Sequence, residues 1–383
     1  MTPKRDPDAM RYLERLQREA SLSFDVPYGK ESTFEELLDS AQRAAEIGLA
    51  TEGDDPVASA TRLYQEFQSI DRTWWTALEP SSHVFYLDRA ERTLFKGLAE
   101  LDVGLPATLP PVGTLPTFQV NAQALPVPGA RGEYAIAFET GFFSFTSALS
   151  RITSGILLGR GGVGIGGQFI DLMFNQVVLG TSAHLHPDTL AIDHDTWMRG
   201  EANLRPVFEA FWLAHEYAHV IKGHYEAILA GTSVPRAKLE KKADRLAFRA
   251  TVRAFADPVQ VLIAVGALLQ AFRLFERGYE LIGDVIPPPE GAASHPAAAD
   301  RLESLFESAT LEMSPAQFEE AVHWLGMHGK QMGQWWQPFE SALPVARQQF
   351  PRGWLPRDPL EQRAALGRFV TLIGRHMRDK PSR

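Results

Sequence analysis

Residues 211–224 read Phe-Trp-Leu-Ala-His-Glu-Tyr-Ala-His-Val-Ile-Lys-Gly-His, and they constrain the fold more than any other stretch of the chain. His215 and His219 are four apart, so a helix of ~3.6 residues per turn stacks them on one face. Two imidazoles so placed can bind one Zn²⁺, and Glu216 beside them can deprotonate a water that the metal holds. A helix can also carry two histidines and a glutamate with no metal at all. A third donor therefore has to come from elsewhere in the chain.

The helical pattern continues past His224 to Ala230, and Gly231-Thr232-Ser233-Val234-Pro235 reads as a stop and restart. Arg236 to Phe255 is helical again and contains Glu240-Lys-Lys-Ala-Asp244. Helices joined by so short a loop pack antiparallel, which can bring Glu240 back beside the histidines. Asp244 lies one turn further along that face, placed to accept a hydrogen bond from a ligand histidine's other ring nitrogen. The alternative is that Glu240 and Asp244 belong to a solvated charged face running from Lys238 to Arg245. A three-histidine site is excluded, because the positions three and six beyond His219 hold Lys222 and Tyr225 rather than glycine and histidine. His224, rotated ~140° from His219 on a continuous helix, reads as a packing or capping residue.

With these residues in view, the chain resembles the zinc metallopeptidases that include the CAAX prenyl protease and the HtpX heat-shock protease, a branch of the gluzincins. The helix reads HExxHxxxGH at His215, Glu216, His219, Gly223 and His224, and the ExxxD box is Glu240 and Asp244. Upstream, Val120-Asn121-Ala122-Gln123-Ala124-Leu125-Pro126 is similar to the family's NAFALP stretch, and a strand and a Thr140-Gly141 turn follow it. Downstream, Ser294-His295-Pro296 with Arg301 matches the HP…R box. The pieces stand in family order across roughly residues 115–305.

The resemblance implies that His215, His219 and Glu240 hold one zinc per chain, with Glu216 as general base and then acid. It places His295 across the cleft to stabilise an oxyanion, and Asp244 and Arg301 behind the ligands. Asn121, Ala122 and Ala124 would lie on the edge strand that pairs with a peptide substrate. The chain departs from the family in three ways. It lacks the membrane-spanning helices of well-known members, has Gln123 for an aromatic residue, and carries an insertion of roughly residues 155–205.

Composition narrows the rest. A net charge of -9 disfavours nucleic acid and anionic membrane as partners, leaving protein or peptide as the expected substrate. With no cysteine, a metal must use histidine and carboxylate, and the chain fits a reducing, cytoplasmic setting. The N-terminus has no apolar signal-like run. The apolar run Val259–Leu269 is too short to span a bilayer and reads as part of a buried core helix, Pro258 to Leu281.

The expected fold is α+β and mostly α: a zincin-like gluzincin core with a small antiparallel sheet and helical extensions. Residues 1–105 form a helical N-terminal region, 112–305 the metallopeptidase core, and 306–383 a helical C-terminal region. Six prolines between Pro106 and Pro128 mark the first boundary. Two strands are expected, one over Thr117–Gln123 and one over Glu133–Glu139, where Tyr134, Ile136 and Phe138 alternate. Gly159 to Gly167 reads as a loop or a flap over the cleft, and the C-terminal region as helices Pro315–Met327, Gly333–Phe350 and Asp358–Met377. His184, His186, Asp193 and Asp195 invite a second metal or a cap on the first. The expected function is a zinc-dependent metalloendopeptidase, with a single-target defence or stress protease as the narrower alternative. The rival from another class is a zinc-binding scaffold whose site is structural or vestigial.

Overall fold

The computed structural model of the chain describes residues 4–24, 33–46, 55–117, 119–130, 132–160, 162–179, 199–229, 234–281 and 297–350, with parts of 361–373. Strand β1 (Lys4–Arg5) leads into α1 (Pro7–Phe24), α2 (Phe34–Glu46), α3 (Pro56–Ser69) and α4 (Ser81–Glu100). Four short strands follow: β2 (Thr108–Leu109), β3 (Val112–Leu115), β4 (Ala122–Pro126) and β5 (Tyr134–Glu139). Next come α5 (Gly141–Leu157), α6 (Val163–Met173) and a π-helical turn at Phe174–Leu179. A second π-helical turn, Gly200–Leu204, feeds α7 (Arg205–Ile221). The chain continues through α8 (His224–Leu229), α9 (Arg236–Ala254), α10 (Pro258–Leu281), α11 (Ala298–Glu312) and α12 (Pro315–Gln349). This is the mostly helical α+β class expected from the sequence.

Several helix starts are written locally. Asp55 caps α3 by accepting the Val57 N–H at 3.0 Å, with Pro56 in the first turn. Ser314 and Gln317 form a reciprocal capping box at the start of α12. Other features follow tertiary packing instead. The three-stranded sheet has the order β3-β5-β4, with β3 parallel and β4 antiparallel to β5, so it is mixed rather than antiparallel. The Thr117–Gln123 alternation falls mostly on the connection between β3 and β4. The glycine-rich stretch is not a flap, because α6 begins at Val163 and takes Gly164, Gly166 and Gly167 into the helix. α12 runs unbroken through Gly329, Gly333, Pro338 and Pro344. Its buried Ala321, Leu325, Met332, Trp336, Phe339 and Leu343 recur at helical spacing, and α12 packs along α10. That burial outweighs the weak local propensity.

α10 has the length and composition of a membrane span, and 61% of its most apolar window is buried inside the fold. It backs α12, α11 and α7.

The N-terminal helices do not stand apart from the sheet. α1 packs on β3 and β5, and α4 packs on α7 and α9. At the crossing of α4 with α9, a Cβ built on Gly97 would lie 1.9 Å from the Ala250 carbonyl oxygen. Backbone cannot yield as a side-chain tip can. Gly97→Ala is therefore expected to destabilise the chain by about 3 kcal/mol, the upper end for overpacking. An unchanged urea midpoint for this variant would contradict so close a crossing.

Candidate metal centre

α7 carries apolar side chains on nearly every side. Val207, Phe208, Phe211, Leu213, Tyr217 and Ala218 are all buried, so the helix forms inside the core rather than on its surface. Pro206 suits its first turn, and small Ala214 and Ala218 let a neighbouring helix approach. α9 is the helix packed most closely against it. The charged pattern from Lys238 to Arg245 is therefore two-sided: Glu240 and Asp244 are buried at 2% and 3% exposure, facing α7.

Three donor atoms converge. The His215 and His219 Nε2 atoms are 3.1 Å apart. Glu240 Oε2 lies 3.3 Å from the first and 3.5 Å from the second. Bonds of ~2.0–2.1 Å to a tetrahedral ion put ligand atoms ~3.3 Å apart, so the spacing fits a metal. Two imidazoles and one carboxylate, with no thiolate, are also a donor set that zinc accepts. The group could bind a metal ion; which ion is a separate matter.

The charges around it tell the same story. Glu216, Glu240 and Asp244 are buried carboxylates, and Arg301 is the buried cation beside them. Three negative charges against one positive leave a deficit that a divalent cation would cancel. In the metal-free chain a proton partly fills that role. Burial pushes the His215 imidazole down, but the Asp244 hydrogen bond and charge, helped by Glu240, leave it raised to about 10.

The orientation of His215 is fixed from behind. Its Nδ1 lies 2.9 Å from Asp244 Oδ1. Arg301 grips Asp244 with two bonds, Nε to Oδ2 at 2.8 Å and a terminal nitrogen to Oδ1 at 2.6 Å. Burial raises the Asp244 pKa, and the Arg301 charge and hydrogen bond outweigh it, holding the carboxyl well below its usual range. Arg301 thus reaches the site through Asp244.

Glu216 points to the sheet. Its Oε2 accepts the Ala124 N–H at 2.7 Å. Odd-numbered residues of this segment bond to β5, as with the Glu139 N–H on the Asn121 carbonyl at 2.9 Å. Even-numbered Ala122 and Ala124 therefore present their backbone groups away from β5, on the edge of β4 that no strand among the described residues pairs. Burial raises the Glu216 carboxyl to about 7, with Glu240 adding to the rise while His215 and the Ala124 N–H oppose it. Asn121 also bonds the Glu139 carboxyl, which burial raises to about 7.

His224 departs from the straight-helix expectation. α7 ends at Ile221, and Gly223 adopts φ 61°, the left-handed conformation that favours glycine. The turn swings His224 back until its Nδ1 lies 3.1 Å from His219 Nδ1. Burial and the His219 charge lower its pKa to about 4, which keeps it neutral. Tyr225 sits beside it, its ring 5.8 Å from that of His219 and 5.5 Å from Tyr134.

A second network lies behind α7. Tyr217, between His215 and His219 in sequence, bonds Glu91. Arg5 reaches Glu91 Oε2 at 2.5 Å and the Tyr217 hydroxyl at 3.2 Å, and stacks over Trp74 and Trp75. Periodicity alone had no means of linking Arg5 to Tyr217; the one local signal is that a buried tyrosine needs a partner for its hydroxyl. Asp6, Asp8 and Glu133 also approach one another, but less buried. Asp6 there caps α1 and Asp8 pairs with Arg11, so these two acids have partners without an ion.

His215, Glu216, His219, Glu240, Asp244, Arg301 and Ala124 thus meet at one place. His295, His184, His186, Asp193 and Asp195 lie outside the described residues. No family model, characterised protein or solved structure matches the chain.

Proposed function

We propose that this chain is a zinc-dependent metalloendopeptidase. The observation that carries the reading is the triangle of His215, His219 and Glu240 donors with the Glu216 carboxylate beside it, held on the edge strand's N–H. A zinc ion in that triangle would act as a Lewis acid and bring the pKa of a bound water to ~7.

The remaining work falls to the chain's own residues. β4 would offer Ala122 N–H and the Ala122 and Ala124 carbonyls to an extended peptide, which would set a scissile carbonyl beside the metal site. Ala124 N–H holds Glu216 Oε2 in place, leaving the other oxygen to take a proton. In the metal-free chain burial pushes the Glu216 carboxyl up to about 7, a direction that suits a group taking a proton and returning it to the departing amine. A structural metal site would have no use for such a base.

Two measurements test the reading. Incubation of the full chain with lysate, followed by mass spectrometry of new N-termini, should give cleavages that vanish with a zinc chelator and return with zinc. Failure to find any zinc-dependent N-terminus would sink it. Zinc affinity should also climb with pH. His215 holds a proton up to about pH 10 in the metal-free chain, and zinc must displace it. One proton released means about tenfold tighter binding per pH unit between pH 6 and 8. A flat profile would contradict the protonated cluster.

A further inference from the structure

We infer that His224 is a positioning residue for the metal centre, fixing the tautomer and ring orientation of His219 through an imidazole–imidazole hydrogen bond. The inference rests on the metal-centre reading of His215, His219 and Glu240.

The two ligand histidines are supported in different ways. His215 has a carboxylate behind it, Asp244, anchored by Arg301. For His219 the atom behind the ring is His224 Nδ1, at 3.1 Å from Nδ1 of His219. Nε2 of His219 faces His215 and Glu240, so it is the ligand atom and must be free of a proton. The ring proton of His219 then sits on Nδ1 and is donated to Nδ1 of His224. That in turn places the His224 proton on its own Nε2.

The arrangement depends on the turn. Gly223 at φ 61° ends α7 and directs the next residue back over the last turn. His224 is buried at 3% exposure, so water cannot readily replace it as the acceptor. Its ring also packs edge-on against His219, with centroids 4.9 Å apart. A neutral imidazole is a weaker acceptor than a carboxylate, which makes His219 the less basic of the two nitrogen ligands.

The test measures zinc binding directly, by competition with a chromogenic chelator, and the visible absorption of the Co²⁺-loaded full chain. His224→Leu removes the acceptor and keeps bulk; it should weaken zinc about 10–100-fold. His224→Asn places an amide oxygen near the old Nδ1 position and should restore affinity to within about threefold of wild type. The Co²⁺ band should shift in His224→Leu and return in His224→Asn. Equal affinity and equal spectra for wild type and His224→Leu would overturn the inference while leaving the metal centre intact. Absence of zinc binding by wild type, or its survival in His219→Ala, would instead overturn the reading beneath it. Should His224→Leu fail to fold, ¹⁵N-histidine spectra of the zinc-loaded wild type decide. A His224 proton on Nε2, leaving its Nδ1 to accept from His219, supports the inference, and a His224 proton on Nδ1 refutes it.

Discussion

Glu216→Gln is expected to keep its zinc and lose peptide hydrolysis. Glutamine has nearly the same shape, and its side-chain oxygen can still accept the Ala124 N–H that glutamate accepts at 2.7 Å. What it lacks is a basic oxygen for the proton. General acid–base contributions run ~10²–10⁴-fold, so cleavage should fall by at least that range. The folded state should be undisturbed or slightly more stable, since a buried charge is removed. Metal analysis, thermal unfolding and N-terminal mass spectrometry on the same preparation separate these effects. Undiminished cleavage by the variant would refute the role given to Glu216.

Asp244→Ala is expected to damage both stability and metal binding. Removing one partner of a buried ion pair leaves the other charge stranded, and here that charge is Arg301, which gives Asp244 two hydrogen bonds. Such losses cost about 3–5 kcal/mol. Zinc affinity should fall 10–100-fold as well, because His215 loses the carboxylate that orients it. A double variant distinguishes the two effects. Asp244→Leu with Arg301→Met replaces the pair by apolar groups and should recover much of the stability, since a buried pair is often no better than a packed apolar core. Zinc affinity should stay low, because nothing then accepts from His215. Recovery of zinc affinity in the double variant would show that Asp244 acts only on stability.

How far these features were legible depends on the range of the interactions behind them. The stacking of His215 and His219 follows from helix periodicity alone, and it is found on α7. Glu240 and Asp244 were readable because a short connection leaves two helices little choice but to pack together. Their burial at 2% and 3% exposure removes the solvated-face alternative. His224 packs as expected, here against His219, but the ~140° rotation assumes an unbroken helix and does not by itself bring the two rings together. Gly223 ends that helix, and the clue was a glycine already present in the motif. The helix that takes in part of Gly159–Gly167, a stretch expected to be a loop or a flap, and the continuity of α12 likewise follow from burial against neighbouring helices rather than from local propensity. The parallel partnership of β3 with β5 and the Arg5–Glu91–Tyr217 network join distant segments, which no local periodicity reports.

The central claim is that three side chains from two helices share one zinc ion. X-ray absorption on the zinc-loaded full chain tests it most directly. Two imidazole nitrogens at ~2.0–2.1 Å and carboxylate oxygen at ~2.0–2.2 Å are expected, at about one zinc per chain, with the imidazole signal reduced in His219→Ala. A zinc environment without imidazole, or one unchanged by His219→Ala and Glu240→Ala, would contradict it.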